Sequence, residues 1–179
     1  MVRDTALDQP STKRHGPAAA QLSARLSAGD RLAIEQLNAR YFHALDGLLG
    51  ADANVQWAST FTADGTFVLR DADGNTIGQA TGTSALVEIH ATFPDVTTTR
   101  HWINNLLIEP EVGGAKASCY IIAMDIAGIP SRIARTGVYT DRLVRLGADW
   151  RFQRRTLALD ANSRPETFKR VALNPIPCG

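Results

Sequence analysis

From residue 97 to residue 159 the chain reads as four long strands joined by very short links, and no earlier part of it reads that way. The strands are predicted over 97–109, 115–126, 132–146 and 150–159. Between them stand Pro110 with Gly113-Gly114, then Gly128 and Pro130, then Gly147-Ala148-Asp149. Links this short favour antiparallel neighbours. Strands this long must twist and coil, so helices laid across them leave a concave face. The earlier residues supply those helices. After Gly29, Asp30 is the expected N-cap of a first helix in which Leu32, Ile34, Leu37, Tyr41 and Leu45 form one apolar stripe. Gly47 and Gly50 weaken it beyond Asp46. A second helix is expected over 53–61, with Val55, Trp57, Ala58 and Phe61 on its buried side. Thr62-Ala63-Asp64-Gly65 reads as a turn, and DADGN (71–75) closes a hairpin between 66–70 and 76–82. A third helix runs from Thr83 until Pro94 stops it. The fold class is therefore α+β, with N-terminal helices packed over a strongly curved, mostly antiparallel sheet.

The 179 residues suit a single domain. Residues 1–16 are read as a disordered leader, 17–161 as the domain (17–28 adding a short helical stretch) and 162–179 as a tail or lid. A formal net charge of +1 gives no field to recruit nucleic acid or an anionic membrane, and the Arg154-Arg155 pair is too small for a nucleic-acid patch. No apolar run approaches a membrane span, and the first residues lack the plan of a secretory signal, so a cytoplasmic protein is the default expectation. Of the two cysteines, Cys119 reads as a buried, reduced core residue. No metal is expected, because the histidines, cysteines and acids lack ligand spacing, and Asp71 and Asp73 lack the glutamate that closes a calcium loop. No organic cofactor is expected either: there is no GxGxxG, P-loop, HExxH or GxSxG motif.

Candidate chemistry starts from the histidines. His43 falls roughly 200° round the helix from Tyr41 and should face solvent. His90, late in the third helix, either favours the helix C-terminus or points into a cavity. His101 lies in the strand TTTRHWINNLLIE (97–109), where strict alternation would put it on one face with Ile103, Asn105 and Leu107, opposite Arg100, Trp102, Asn104 and Leu106. Arg135, Tyr139 and Asp141 share a face too, with Arg151 and Arg155 as possible neighbours. An ion-pair ladder on the outer face is the simpler reading, a clamp on a carboxylate the sharper one.

Taken in order, IEQLNARYFHALD (34–46), Trp57 with FTADG (61–65), Arg100-His101 with Asn105, GVYTD (137–141) and Trp150-Arg151-Phe152 resemble the SnoaL-like branch of the nuclear-transport-factor-2-like superfamily. The resemblance implies an α+β barrel shaped as a cone, with a pocket running in from its open end. It also implies relatives that include scytalone dehydratase, bile-acid 7α-dehydratase, a dehydrochlorinase, a steroid isomerase and polyketide cyclases. In the dehydratase and dehydrochlorinase members a strand histidine pairs with an aspartate of the first helix, and His101 and Asp46 match those positions. Tyr41 matches a tyrosine five residues before that aspartate, and Asp125 falls where one dehydratase places a further acid. The implied catalytic set is His101, Asp46, Tyr41 and Asp125, with Trp57, Phe61, His90, Ile103, Asn105 and Tyr139 around the substrate. An imidazole can take a proton near neutral pH, a carboxylate on its other nitrogen fixes the tautomer, and a phenol can donate to a developing oxyanion. Dehydration or isomerisation of a hydrophobic, oxygenated small molecule needs no more than these. The same superfamily also supplies non-catalytic binding and assembly subunits, and its members commonly pair through the outer sheet face, so a homodimer is expected, with Trp102, Asn104 and Leu106 at the contact.

Overall fold

The computed structural model describes residues 25–93, 95–161 and 163. The expectations for the leader, for most of the 17–28 stretch and for the tail lie outside this set. Among the described residues three helices, α1 (Ala28–Leu45), α2 (Ala53–Ala58) and α3 (Thr83–Ala91), accompany six strands. The strands are β1 (Phe61–Arg70), β2 (Thr76–Thr81), β3 (Thr99–Glu111), β4 (Gly114–Asp125), β5 (Arg132–Leu146) and β6 (Asp149–Leu159). The strand order is β2-β1-β6-β5-β4-β3. All neighbours are antiparallel except β1 and β6, which run parallel. Among the described residues the sheet has two unpaired edges, β2 and β3, so the cone is curved but is not a closed barrel.

Local chemistry places most boundaries. Ser27, not Asp30, caps α1: the Asp30 amide donates to Ser27 Oγ at 3.1 Å and the Ser27 amide donates to Asp30 Oδ2 at 3.0 Å. Asp30 is thus the return half of a capping box. Its Oδ1 also accepts from Trp150 Nε1 and Arg145 Nη1, which ties the start of the helix to the β5–β6 end. α1 stops at Asp46 because Gly47 takes φ 69°, the left-handed turn that glycine enters without steric cost. α2 is shorter than expected, since FTADG already belongs to an irregular start of β1.

The core lies between the helices and the concave face. It includes Ile34, Leu37, Tyr41, Trp57, Leu86, Tyr139, Leu143 and Phe152, all nearly inaccessible. Leu32 and Val55, expected to be buried, are half-exposed, because the contacting stripe of each short helix is narrower than its apolar content. Gly137 sits in the inward row of β5, where a Cβ would run into the Ala158 carbonyl of β6; the close approach helps the sheet to curl. Among the described residues no helix is long and apolar enough to cross a membrane.

Candidate active site

Two strand bulges decide what enters the cone. In β3, Thr99, His101 and Ile103 point inward, but the register with β4 slips between Asn104 and Leu107. Asn105 takes φ 53°, a conformation asparagine tolerates better than most residues. The slip turns Leu106 and Ile108 inward and leaves Asn105 and Leu107 in solvent. Asn105 is therefore not at the site, and Leu106 is not on the outer face. In β6, Trp150 and Phe152 point inward. A slip against β5 beside Gln153 then sends Arg155, rather than Arg154, into the core.

The end of α1 meets the start of β3. His101 Nδ1 lies 2.5 Å from Asp46 Oδ1, and the His101 amide donates to Asp46 Oδ2 at 3.1 Å. Both oxygens of a carboxylate that is only 5% exposed are engaged by one residue. With the carboxylate ionised, Nδ1 carries the proton and donates it, which leaves Nε2 as the basic nitrogen. Phe42 stacks on the imidazole with ring centroids 6.0 Å apart.

His101 borders a narrow cleft with about 30 Å³ of enclosed free space. Its walls are Leu45, Phe67, Leu69, Phe93, Val96, Ile121, Ala123, Leu157 and Leu159, with Tyr41, Tyr139, Asp95, Arg135 and His101 as the polar members. Such a lining, mostly apolar with few polar groups, suits a hydrophobic small molecule.

Behind the tyrosines lies Arg155, wholly buried. Its guanidinium carbon is 4.1 Å from the ring centres of Tyr41 and Tyr139 and 4.3 Å from that of Phe152. Its Nη2 donates to Asn38 Oδ1 at 2.9 Å, and its Nε is 3.5 Å from Asp141 Oδ1. Burial pushes the Asp141 carboxyl up to about 6 against the pull of Arg155. Desolvation works against the Arg155 charge, but Asp141 and the phenols outweigh it and the guanidinium stays ionised. Burial likewise raises the Tyr41 phenol, while Arg155 beneath its ring pulls the other way. Tyr41 therefore remains a protonated donor near neutral pH, and its hydroxyl makes no hydrogen bond of normal geometry among the described residues. Arg135, Tyr139 and Asp141 do share a strand face, but it is the inner one, so the outer ion-pair ladder is incorrect.

The remaining expected residues fall elsewhere. Asp125 is exposed at the end of β4, where its Oδ1 accepts from the Ala127 amide at 2.9 Å, and it does not border the cleft. Trp57, Phe61 and His90 are core residues one layer behind the cleft wall, and Ile103 is a partly buried neighbour of the core. His43 is exposed, and Cys119 is a free thiol that burial raises to about 11. Among the described residues no three His, Cys, Asp or Glu side chains are grouped to hold a metal. Sequence reasoning missed Asp95, and it named Arg135 and Arg155 but preferred the outer face for them. Period two had already put Arg135 in one row with Tyr139, but nothing local told which face that row occupied.

A curved α+β sheet with helices over its concave side and an interior cleft defines the nuclear-transport-factor-2-like, or cystatin-like, class of fold. Residues 27–156 match the sequence profile of the SnoaL-like domain, and the chain belongs to that family. No curated protein sequence matches it. Among solved structures, a cystatin-like protein of unknown function from Nostoc punctiforme aligns with 22% identity and a TM-score of 0.64, over 77% of this chain and 96% of that one. A Mycobacterium tuberculosis protein of unknown function aligns with 28% identity and a TM-score of 0.62, over 73% and 72%. A Novosphingobium aromaticivorans protein assigned as the beta subunit of an aromatic-ring-hydroxylating dioxygenase aligns with 22% identity and a TM-score of 0.62, over 73% and 88%. At 22% identity the likeness is one of fold.

Proposed function

We propose that this protein is an acid–base lyase or isomerase for a hydrophobic, oxygenated small molecule, with His101 as general base. The observation that carries the reading is the 2.5 Å His101–Asp46 pair at the wall of an apolar cleft. Asp46 holds the imidazole in one tautomer and supports the imidazolium formed when Nε2 takes a proton. Tyr41 borders the same cleft with a buried, protonated hydroxyl, and a cation beneath its ring favours negative charge nearby. Proton removal with loss of a β leaving group, or with return of the proton elsewhere, uses only these groups, and no metal or cofactor is needed. Dehydration stands slightly ahead of isomerisation in this reading, with a polyketide cyclase-like reaction as a further form of it.

A thermal-shift screen of hydroxylated and keto aromatic compounds would find ligands, since a compound that binds only the folded chain must stabilise it. On a hit that turns over, His101→Ala and Asp46→Asn should each lower kcat about 100- to 10,000-fold. The double variant should be little worse than either, because the pair acts as a unit. Tyr41→Phe should cost roughly 10- to 1,000-fold. A folded His101→Ala protein with native turnover would leave a second reading, a non-catalytic binding or assembly subunit. The fold shared with a protein assigned as a dioxygenase beta subunit favours that alternative.

A further inference from the structure

The polar atoms of Trp57, Tyr41 and Tyr139 lead in that order from the core to the cleft. Trp57 is fully buried, Tyr41 packs against it with ring centroids 5.5 Å apart, and Tyr139 meets Tyr41 edge-on at 6.0 Å. Trp57 Nε1 and Tyr41 Oη are both enclosed, and neither makes a hydrogen bond of normal geometry among the described residues. The contacts are nevertheless close enough that Trp57 and Tyr139 both pull on the Tyr41 phenol as hydrogen-bonding neighbours. The Tyr139 hydroxyl makes no hydrogen bond of normal geometry among the described residues either, but it is not sealed in, and Tyr139 lines the cleft. Of the two phenols, Tyr139 is the one whose oxygen a ligand can reach.

An indole N–H can only donate. Beside Trp57 the Tyr41 oxygen is therefore an acceptor, and the Tyr41 proton needs an acceptor of its own. Arg155, whose guanidinium carbon lies 4.1 Å from the centre of each phenol ring, offers donors only. That leaves the Tyr139 oxygen, since an enclosed hydroxyl without a partner is costly. The Tyr139 proton is then free to turn into the cleft. We infer that Tyr139, and not Tyr41, is the specificity-determining donor of the cleft, and that the ligand group meeting it is an acceptor oxygen, a carbonyl or an ether, rather than an N–H. The cation on the faces of both rings works in the same direction, because it makes each O–H a stronger donor. Tyr41 is a positioning residue in this arrangement, and its effect on a bound molecule passes through Tyr139. The inference rests on the cleft as the ligand site and not on His101 as base.

The probe is benzaldehyde isotope-labelled at the carbonyl, followed by difference infrared spectroscopy on the full chain, with each variant first shown folded by thermal unfolding. Bound to the native protein, its C=O stretch should lie below the frequency found in hexane, as for a carbonyl that accepts a hydrogen bond. Tyr139→Phe should return the stretch close to the hexane value and weaken binding roughly 2- to 12-fold, the equivalent of one hydrogen bond. Tyr41→Phe keeps the donor and loses only its support, so it should give an intermediate frequency. His101→Ala should keep the native frequency, and the acid–base reading is decided separately by turnover, which these spectra do not enter. A native frequency in Tyr139→Phe would overturn the inference. So would a shift lost in Tyr41→Phe alone, which would make Tyr41 the donor. Aniline bound more tightly than benzaldehyde, or no binding of benzaldehyde by the native protein, would overturn the acceptor class.

Discussion

His90 shows what a single buried imidazole does to the stability of the chain. It is 3% exposed, tilted against Trp57 at 5.2 Å between ring centres and against Phe93 at 5.5 Å, and its Nε2 has no hydrogen-bond partner among the described residues. Burial pushes its pKa down to about 4, and a hydrogen bond to the Ala44 backbone pulls only weakly the other way. The native state therefore keeps His90 neutral where the unfolded chain, near 6.5, takes up a proton. Stability is fully present above 6.5 and is lost as the pH falls through that value toward 4. Between pH 7.5 and pH 5 the share due to His90 is about 2 kcal/mol. His90→Phe should lack that share, so urea unfolding at the two pH values should show a smaller acid loss in the variant. Asp141, raised by burial to about 6, has the opposite sign in this window, but it is common to both proteins and cancels in the comparison. Equal acid losses would show that the ring is not held neutral.

At the scale of elements, β3 and β4 leave an apolar outer face. Trp102 stands opposite Ile122 and Asn104 opposite Tyr120, with Trp102 and Tyr120 each 54% exposed and Ile122 36%. Leu107, brought outward by the slip at Asn105, adds to it. A second copy of the chain is the occupant we expect, since an isologous pair would cover this patch on both partners at once. Light scattering should give the mass of a dimer, and Trp102→Lys with Tyr120→Lys should give that of one chain. A native protein that stays a single chain at high concentration would count against it. The same slip explains what could be read in advance. Helical and strand periods are local, so the order of elements followed from residue spacing, and so did the inward row of β5 as a set. A bulge is one extra residue that only the partner strand defines, and strict alternation carried Asn105 to the face of His101. The His101–Asp46 contact spans 55 residues and came from family resemblance; spacing alone left His101 as one polar residue in a strand.

In the molecule as a whole, the middle of the core is ionic. Arg155 and Asp141 are fully enclosed, and Asp141 has no hydrogen bond to either oxygen among the described residues. Removing one partner of such a pair strands the other, so Arg155→Leu should cost about 3–5 kcal/mol in urea unfolding. Arg155→Met with Asp141→Leu should recover much of that, because apolar replacements carry no desolvation cost. A double variant no better than the single one would show that the guanidinium acts through its aromatic contacts instead. The parallel pairing of β1 with β6 reaches further, into how the chain is made. β3, β4 and β5 can assemble as they leave the ribosome, each on its predecessor. The β1–β2 hairpin, synthesised earlier, has no place in the sheet until β6 exists to join it to β5. Until then the open flank of β5 and the unfilled concave wall are both exposed to other chains. Closure is thus a late, long-range event of the slow kind expected for non-local strand pairing. Nascent chains halted before Asp149 should consequently depend on holding chaperones far more than the finished protein does.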